Sequence, residues 1–280
     1  MIRRLTVAAA ALALLAPLAS AQTLDEVLAK HYTAMGGLDK IKAANSVRMT
    51  GVMAMGPGME APFVLEIKRP KSMRMEFTFQ GMTGVQAYDG KQGWMVMPFM
   101  GKKDPEPVPP EQVKELEEQA DMDGPLVDWK AKGNTVELLG KESVEGTDAY
   151  KLKVTRKSGD ISTMYLDAEN YLIIKSESKR TVRGAEVEGE SIVGDYKPVE
   201  GIMFAFAMEN GQKGSAQKQK LTFSKIEVNP TLDDSRYKMP AKPDSTGAKA
   251  DSTAKAGGAK AATKAPPAAA KKSGTTKTDK

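Results

Sequence analysis

Cysteine is missing altogether, and histidine occurs once, as His31. No disulfide can staple the chain, no thiolate can attack a substrate, and the usual zinc ligand sets cannot be assembled. Gly-x-Ser-x-Gly elbows, glycine-rich phosphate loops and paired metal-binding histidines are also missing, which removes the common nucleophilic, nucleotide-dependent and metal-dependent enzyme signatures. A copper site built from methionine alone would want His or Cys support. The expectation is a non-enzymatic protein with no metal and no cofactor. A third enzyme-class reading, action on envelope lipid or glycan, would need convergent ionisable groups, and the acids lie instead on polar strand sides (Glu60, Glu66, Glu76) or in turns (Asp89, Asp160, Asp167).

Long apolar runs are nearly absent too. The one that exists, Leu5 to Leu18, follows the basic Met1-Ile-Arg-Arg and precedes Ala19-Ser-Ala21, the pattern of a secretory signal peptide rather than a membrane span. Residues 1–21 are therefore expected to be a leader and the mature protein to be soluble and periplasmic. Residues 241–280 hold nine Lys, three Asp and no large apolar side chain. Such a tail cannot bury enough surface to offset the entropy of ordering it. Without it and the two leader arginines, Gln22–Pro240 holds 30 basic and 33 acidic residues. The basic balance of the whole chain thus belongs to its ends, and no basic stripe with interleaved aromatics suggests nucleic acid.

What is present is alternation. Val47, Met49, Gly51, Met53 and Met55 share one parity, followed by Ala61, Phe63, Leu65 and Ile67, then Met73, Met75, Phe77 and Phe79. Period-two runs broken by Gly and Pro predict half-buried antiparallel strands. The run ends in Tyr88-Asp-Gly-Lys-Gln-Gly-Trp94, read as a hairpin into the Trp94 strand. Lys102–Pro110 is charged and proline-rich, hence expected to be a loop, with a helix over Glu111–Ala120. Further strands are predicted at 136–139, 149–155, 162–167, 172–179, 186–193, 202–208 and 217–228, with Ile173-Ile174 marking a bulge or burial on both faces. Near the start, Thr23 and Glu26 form a capping box for a helix carrying Leu24, Val27, Leu28, His31 and Met35. His31 is read as a structural residue at the helix–sheet junction. About eleven strands and two or three helices give a mainly β, α+β domain over residues 22–240: one long curved antiparallel sheet.

Twelve of the seventeen methionines fall between Met35 and Met122. Methionine re-packs against varied apolar partners at little strain. Met49, Met53, Phe63, Leu65, Met73, Met75, Phe77, Phe79 and Trp94 are therefore candidates for an adaptable apolar cavity that takes acyl chains. Arg69 and Arg74 are candidates for its polar rim, either meeting a head group or holding the cavity shut through carbonyls. The competing reading is a non-catalytic envelope scaffold whose apolar face is filled by its own helices.

Three stretches carry a resemblance: Lys68-Arg-Pro-Lys-Ser-Met-Arg-Met-Glu76, Tyr88–Trp94, and the closing Lys225-Ile-Glu-Val-Asn-Pro-Thr-Leu-Asp-Asp-Ser-Arg-Tyr-Lys-Met-Pro240. Together with the leader and the N-terminal helix they make residues 22–240 similar to the outer-membrane lipoprotein-sorting proteins, the LolA-like family. That resemblance implies an unclosed β half-barrel whose mouth is covered by helices. It implies a carrier or chaperone that moves lipoprotein acyl chains or free lipid toward the outer membrane. An inner-membrane release complex and an outer-membrane acceptor would be its partners. Pro70 and Arg74 match family positions on the strand entering the cavity, and Asp89-Gly90 the hairpin before the tryptophan.

Overall fold

Strand pairing dictates the path of the chain. In a computed structural model, which describes residues 22–56, 58–182 and 185–241, a first meander runs through β1 (Ser46–Gly56), β2 (Met59–Lys68), β3 (Ser72–Phe79), β4 (Met82–Tyr88), β5 (Gly93–Met97) and β6 (Lys102–Pro107). A second runs through β7 (Thr135–Val144), β8 (Thr147–Thr155), β9 (Ile161–Asp167), β10 (Ile173–Val182), β11 (Ala185–Val199), β12 (Ile202–Gln212) and β13 (Lys218–Val228). The last strand returns to pair with the first, Val47 opposite Val228 and Met49 opposite Ile226. The result is one sheet of 13 strands in the order β6-β5-β4-β3-β2-β1-β13-β12-β11-β10-β9-β8-β7. Its two edges, β6 and β7, do not pair with each other. The sheet is therefore an unclosed half-barrel.

That order has a direct consequence. Strands β6 and β7 are consecutive in sequence yet lie on opposite edges, so the segment between them must cross the open side. It does so as α3 (Pro110–Gln119) and an irregular run that reaches Leu126 and Val127. Leu116 and Ala120 of this crossing are buried on Met73 and Tyr88. Gly93 makes the seat possible: a Cβ there would stand 2.6 Å from Val108 Cγ2 and 2.8 Å from Leu116 Cδ1. The other cover is α1 (Leu24–Ala34), with the short α2 (Leu38–Ala43). Thr23 accepts from the Glu26 amide while Glu26 accepts from the Thr23 amide, the expected capping box,. Val27 and Leu28 of α1 are buried with Leu152, Val154 and Leu166 of the second meander.

Curvature has a local cause. Register shifts interrupt the ladders at Thr50/Gly51, Ala54/Gly56, Met95/Met97, Leu138/Gly140 and Ile173/Lys175. Each unpaired residue bends its strand and adds right-handed twist. The Ile173-Ile174 irregularity expected from the sequence is one of them. Two expectations are corrected. The sheet has thirteen strands rather than about eleven, and Lys102–Pro110 is not all loop, since β6 pairs with β5 through Trp94–Pro107 and Met95–Glu106. Proline is tolerated there because an edge strand needs donors on one side only. The expected leader (1–21), Pro57 of the first turn, and the tail from 242 onward lie outside the described residues. Among those described, no helix is long and apolar enough to cross a membrane.

The candidate cavity

Alternation sorts the first meander into two faces, and the ladder pairs keep each face in register. Val47, Met49 and Met53 stand opposite Ile67, Leu65 and Ala61, and Phe63, Leu65 and Ile67 opposite Phe77, Met75 and Met73. This is the inner face. Where it meets β12 and β13, the helices and the crossing segment do not fill it. A cavity of about 580 Å³ remains, within the ordinary range for small-molecule pockets.

Met49, Phe63, Leu65 and Met75 line that cavity. The other candidates sit elsewhere. Met53 is buried beside Phe63 and Leu221, its Sδ accepting from Gln219 Nε2 at 2.8 Å. Met73 is wholly buried beneath α3. Phe77 and Phe79 face inward but are taken up by Phe99, whose ring lies 5.5 and 6.1 Å from theirs. Trp94 and Arg74 stand on the opposite, outer face: both pair through Ala87, and the Arg74 guanidinium lies 5.5 Å from the Trp94 ring centre. That face is covered by the closing segment. Trp94 Nε1 donates to the Tyr237 carbonyl at 2.7 Å and Arg74 to the Arg236 carbonyl at 2.9 Å.

Apart from Val47 and Ile67, the rest of the lining comes from outside the first meander. Tyr32, Met35 and Ile41 descend from the N-terminal helices, Met122 and Asp123 from the crossing, and Phe204, Met208, Leu221 and Phe223 from β12 and β13. A signal for the last group was present in the alternation of Phe204, Phe206 and Met208, but nothing local says that β13 lies against β1.

The polar atoms around the cavity are mostly engaged. Tyr32 donates to the Leu126 carbonyl at 2.8 Å, and Tyr196 to that of Ile173 at 2.8 Å. Burial pushes the Tyr196 hydroxyl well above its ordinary pKa,. His31 places Nδ1 2.8 Å from the Tyr171 carbonyl oxygen, and burial lowers its pKa. It bonds the helix to the β9–β10 turn, at the helix–sheet junction its sequence position suggested. Among the described residues no group of three or more His, Asp or Glu could hold a metal.

Arg69 does not line the cavity but fastens three residues that do. Its guanidinium forks onto Asp123 with two contacts of 2.6 Å, while Nε donates to the Ala44 carbonyl at 2.7 Å and Nη2 to that of Ile41 at 3.1 Å. One side chain thus ties the β2–β3 turn to the end of α2 and to the crossing segment. Lysine offers no planar fork. Arg69→Lys should therefore raise hydrogen-exchange rates of amides 120–127 about tenfold while leaving those of β1 and β2 unchanged. Unaltered exchange across 120–127 would show that apolar packing alone holds the cover.

No family model matches the chain, and no curated protein matches it by sequence. Solved structures do. A DUF1329 family protein from Desulfovibrio piger is 12% identical with a TM-score of 0.54, over 76% of this chain and 96% of that one. A LolA superfamily protein from Nitrosomonas europaea is 16% identical with a TM-score of 0.52, over 78% and 98%. A putative outer membrane lipoprotein-sorting protein domain from Vibrio parahaemolyticus is 12% identical with a TM-score of 0.50, over 76% and 94%. At such identities the likeness establishes the fold: this chain is a LolA-like half-barrel, as its sequence resemblance implied.

Proposed function

We propose that the protein is a periplasmic carrier that shelters acyl chains, of lipoproteins or of free lipid, in the cavity between the sheet and its helical cover. The observation that carries this reading is the cavity itself: about 580 Å³ lined chiefly by Met, Phe, Leu and Ile under a cover tied down by polar contacts. An acyl chain gains roughly 0.8 kcal/mol per methylene removed from water. Methionines adapt to its kinks without strain. Uptake and release require only that the crossing segment move, a shift between two populations rather than a reaction. Carriage toward the outer membrane accords with the lipoprotein-sorting protein of Vibrio among its structural neighbours. An inner-membrane release complex and an outer-membrane acceptor would then stand at the two ends of its route.

The reading is tested by native mass spectrometry of gently purified protein together with transfer of a fluorescent phospholipid between vesicles. A lipid adduct and accelerated transfer are expected. Consistently clean protein that does not speed transfer would refute the proposal and leave the scaffold reading.

A further inference from the structure

A second cavity, of about 460 Å³, lies between α3, the β2–β3 turn, the β8–β9 turn and the crossing segment. All ten residues that line it are polar or charged, so hydrocarbon is not its occupant. Five are Lys or Arg against three carboxylates. The carboxylates are each matched by one cation: Glu117 by Lys71 at 2.6 Å, Asp121 by Lys132 at 2.7 Å, and Glu118 by Arg156 at a loose 3.5 Å. Lys114 of α3 and Lys157 of the β8–β9 turn have no carboxylate partner among the described residues. They line the cavity from two different elements. Burial raises the Glu118 pKa, with Arg156 and Arg180 acting against the shift,.

The position of this cavity matters as much as its charge. Gln119, Met122 and Asp123 line the apolar cavity, whereas Glu117, Glu118 and Asp121 line the cationic one. One short stretch of chain thus contributes to the lining of both an apolar and a mainly cationic cavity. A molecule that is apolar at one end and anionic at the other matches that arrangement.

We propose that the second cavity is an anion subsite for a phosphate-type head group, occupied by the same amphiphile whose chain lies in the apolar cavity. The assignment rests on the carrier reading and narrows its cargo to anionic lipids. Lys114 and Lys157 supply the uncompensated charge, and Arg156 adds donors when its weak hold on Glu118 is exchanged for phosphate. Because Glu117 and Glu118 anchor α3 through Lys71 and Arg156, a head group that competes for those cations also loosens the cover.

The test is calorimetric titration of the full chain with dodecyl phosphate, with dodecyl phosphocholine (the same chain with its head-group charge cancelled) and with inorganic phosphate, each below micelle formation. The double variant K114Q/K157Q alters two exposed side chains and should fold normally. The wild type should prefer dodecyl phosphate to dodecyl phosphocholine about tenfold, two ion pairs of ordinary strength. In the variant the preference should vanish, with phosphocholine affinity unchanged. Equal affinities in the wild type, or a preference that survives in the variant, would overturn the subsite while leaving the carrier intact. Inorganic phosphate binding as tightly as dodecyl phosphate would reassign the cavity to a free anion. Binding of neither amphiphile would take down the carrier reading and the subsite together.

Discussion

Met75→Glu should weaken binding of a single-chain lipid more than a hundredfold in a protein that still folds, at a cost in stability of roughly 1–3 kcal/mol from lost packing and partial desolvation,. Met75 lies on the inner face of β3, opposite Leu65 on one side and Gln86 on the other, and its half-buried side chain lines the apolar cavity. While no hydrocarbon is present the new carboxylate can keep most of its water. Once an acyl chain lies against it, that water must leave, and stripping an unpaired carboxylate costs several kcal/mol. A hundredfold corresponds to only about 2.7 kcal/mol, so the penalty comfortably exceeds what the measurement requires. Met75→Leu is the matched control: similar volume, no charge, and an expected change below threefold. Both are read by displacement of a fluorescent fatty acid, with thermal unfolding as the check on folding. A folded Met75→Glu protein that still binds would mean that the chain rests somewhere other than this cavity.

The second large effect lies on the opposite face. Glu66 is only 2% exposed, and its carboxylate accepts from Arg48 Nε at 2.9 Å and Arg236 Nε at 3.0 Å. Arg236 also reaches Glu76 at 3.3 Å, and Arg74 pairs with that same Glu76 at 2.6 Å. The buried acid therefore fastens the closing 3-10 turn, Asp234–Tyr237, across the first meander. Glu66→Ala leaves two guanidiniums facing each other without their shared anion. Breaking a buried pair typically costs 3–5 kcal/mol. Because Arg48 and Arg236 retain partial access to water, with side chains 32% and 40% exposed, about 3 kcal/mol is expected. For a domain of this size that is a fall in Tm on the order of 6–12 °C. Lipid affinity should not change, since Glu66 points away from the cavity. A Tm within a degree of the wild type would show that Trp94 and the buried Tyr237 hold the closing turn unaided.

The two predictions separate because β-alternation separates the faces. Met75 and Glu76 are neighbours in the chain, yet one meets the cavity and the other the arginine network. A one-residue slip in β3 would exchange them. The same rule explains where the sequence reading of the site stops. Met49, Phe63, Leu65 and Met75 line the cavity because they are inward on the central strands. Phe77 and Phe79 share their parity but pack tilted and edge-on against Phe99, a contact made when the short turn at Pro98–Met100 folds back. Trp94 reads as an aromatic at the end of an apolar run, but the loop between Tyr88 and Gly93 sets its register on the outer face. Arg69 drew notice as a donor; only the folded chain brings Ile41, Ala44 and Asp123 within its reach.

Local chemistry was enough to determine most of the strands (though not β6), the capped first helix, a helix expected over 111–120 and found at 110–119, and an apolar side in need of a cover. Each of these depends on residues within a few positions of one another, through period-two alternation, capping and turn preferences. Pairing of β13 with β1, and hence the place where the two meanders meet, was decided by tertiary structure alone. So was the route of the crossing segment, whose residues line both the apolar cavity and the cationic one. Alternation assigns a side chain to a face but says nothing about which distant strand will lie beside it, and cavities form where distant segments meet.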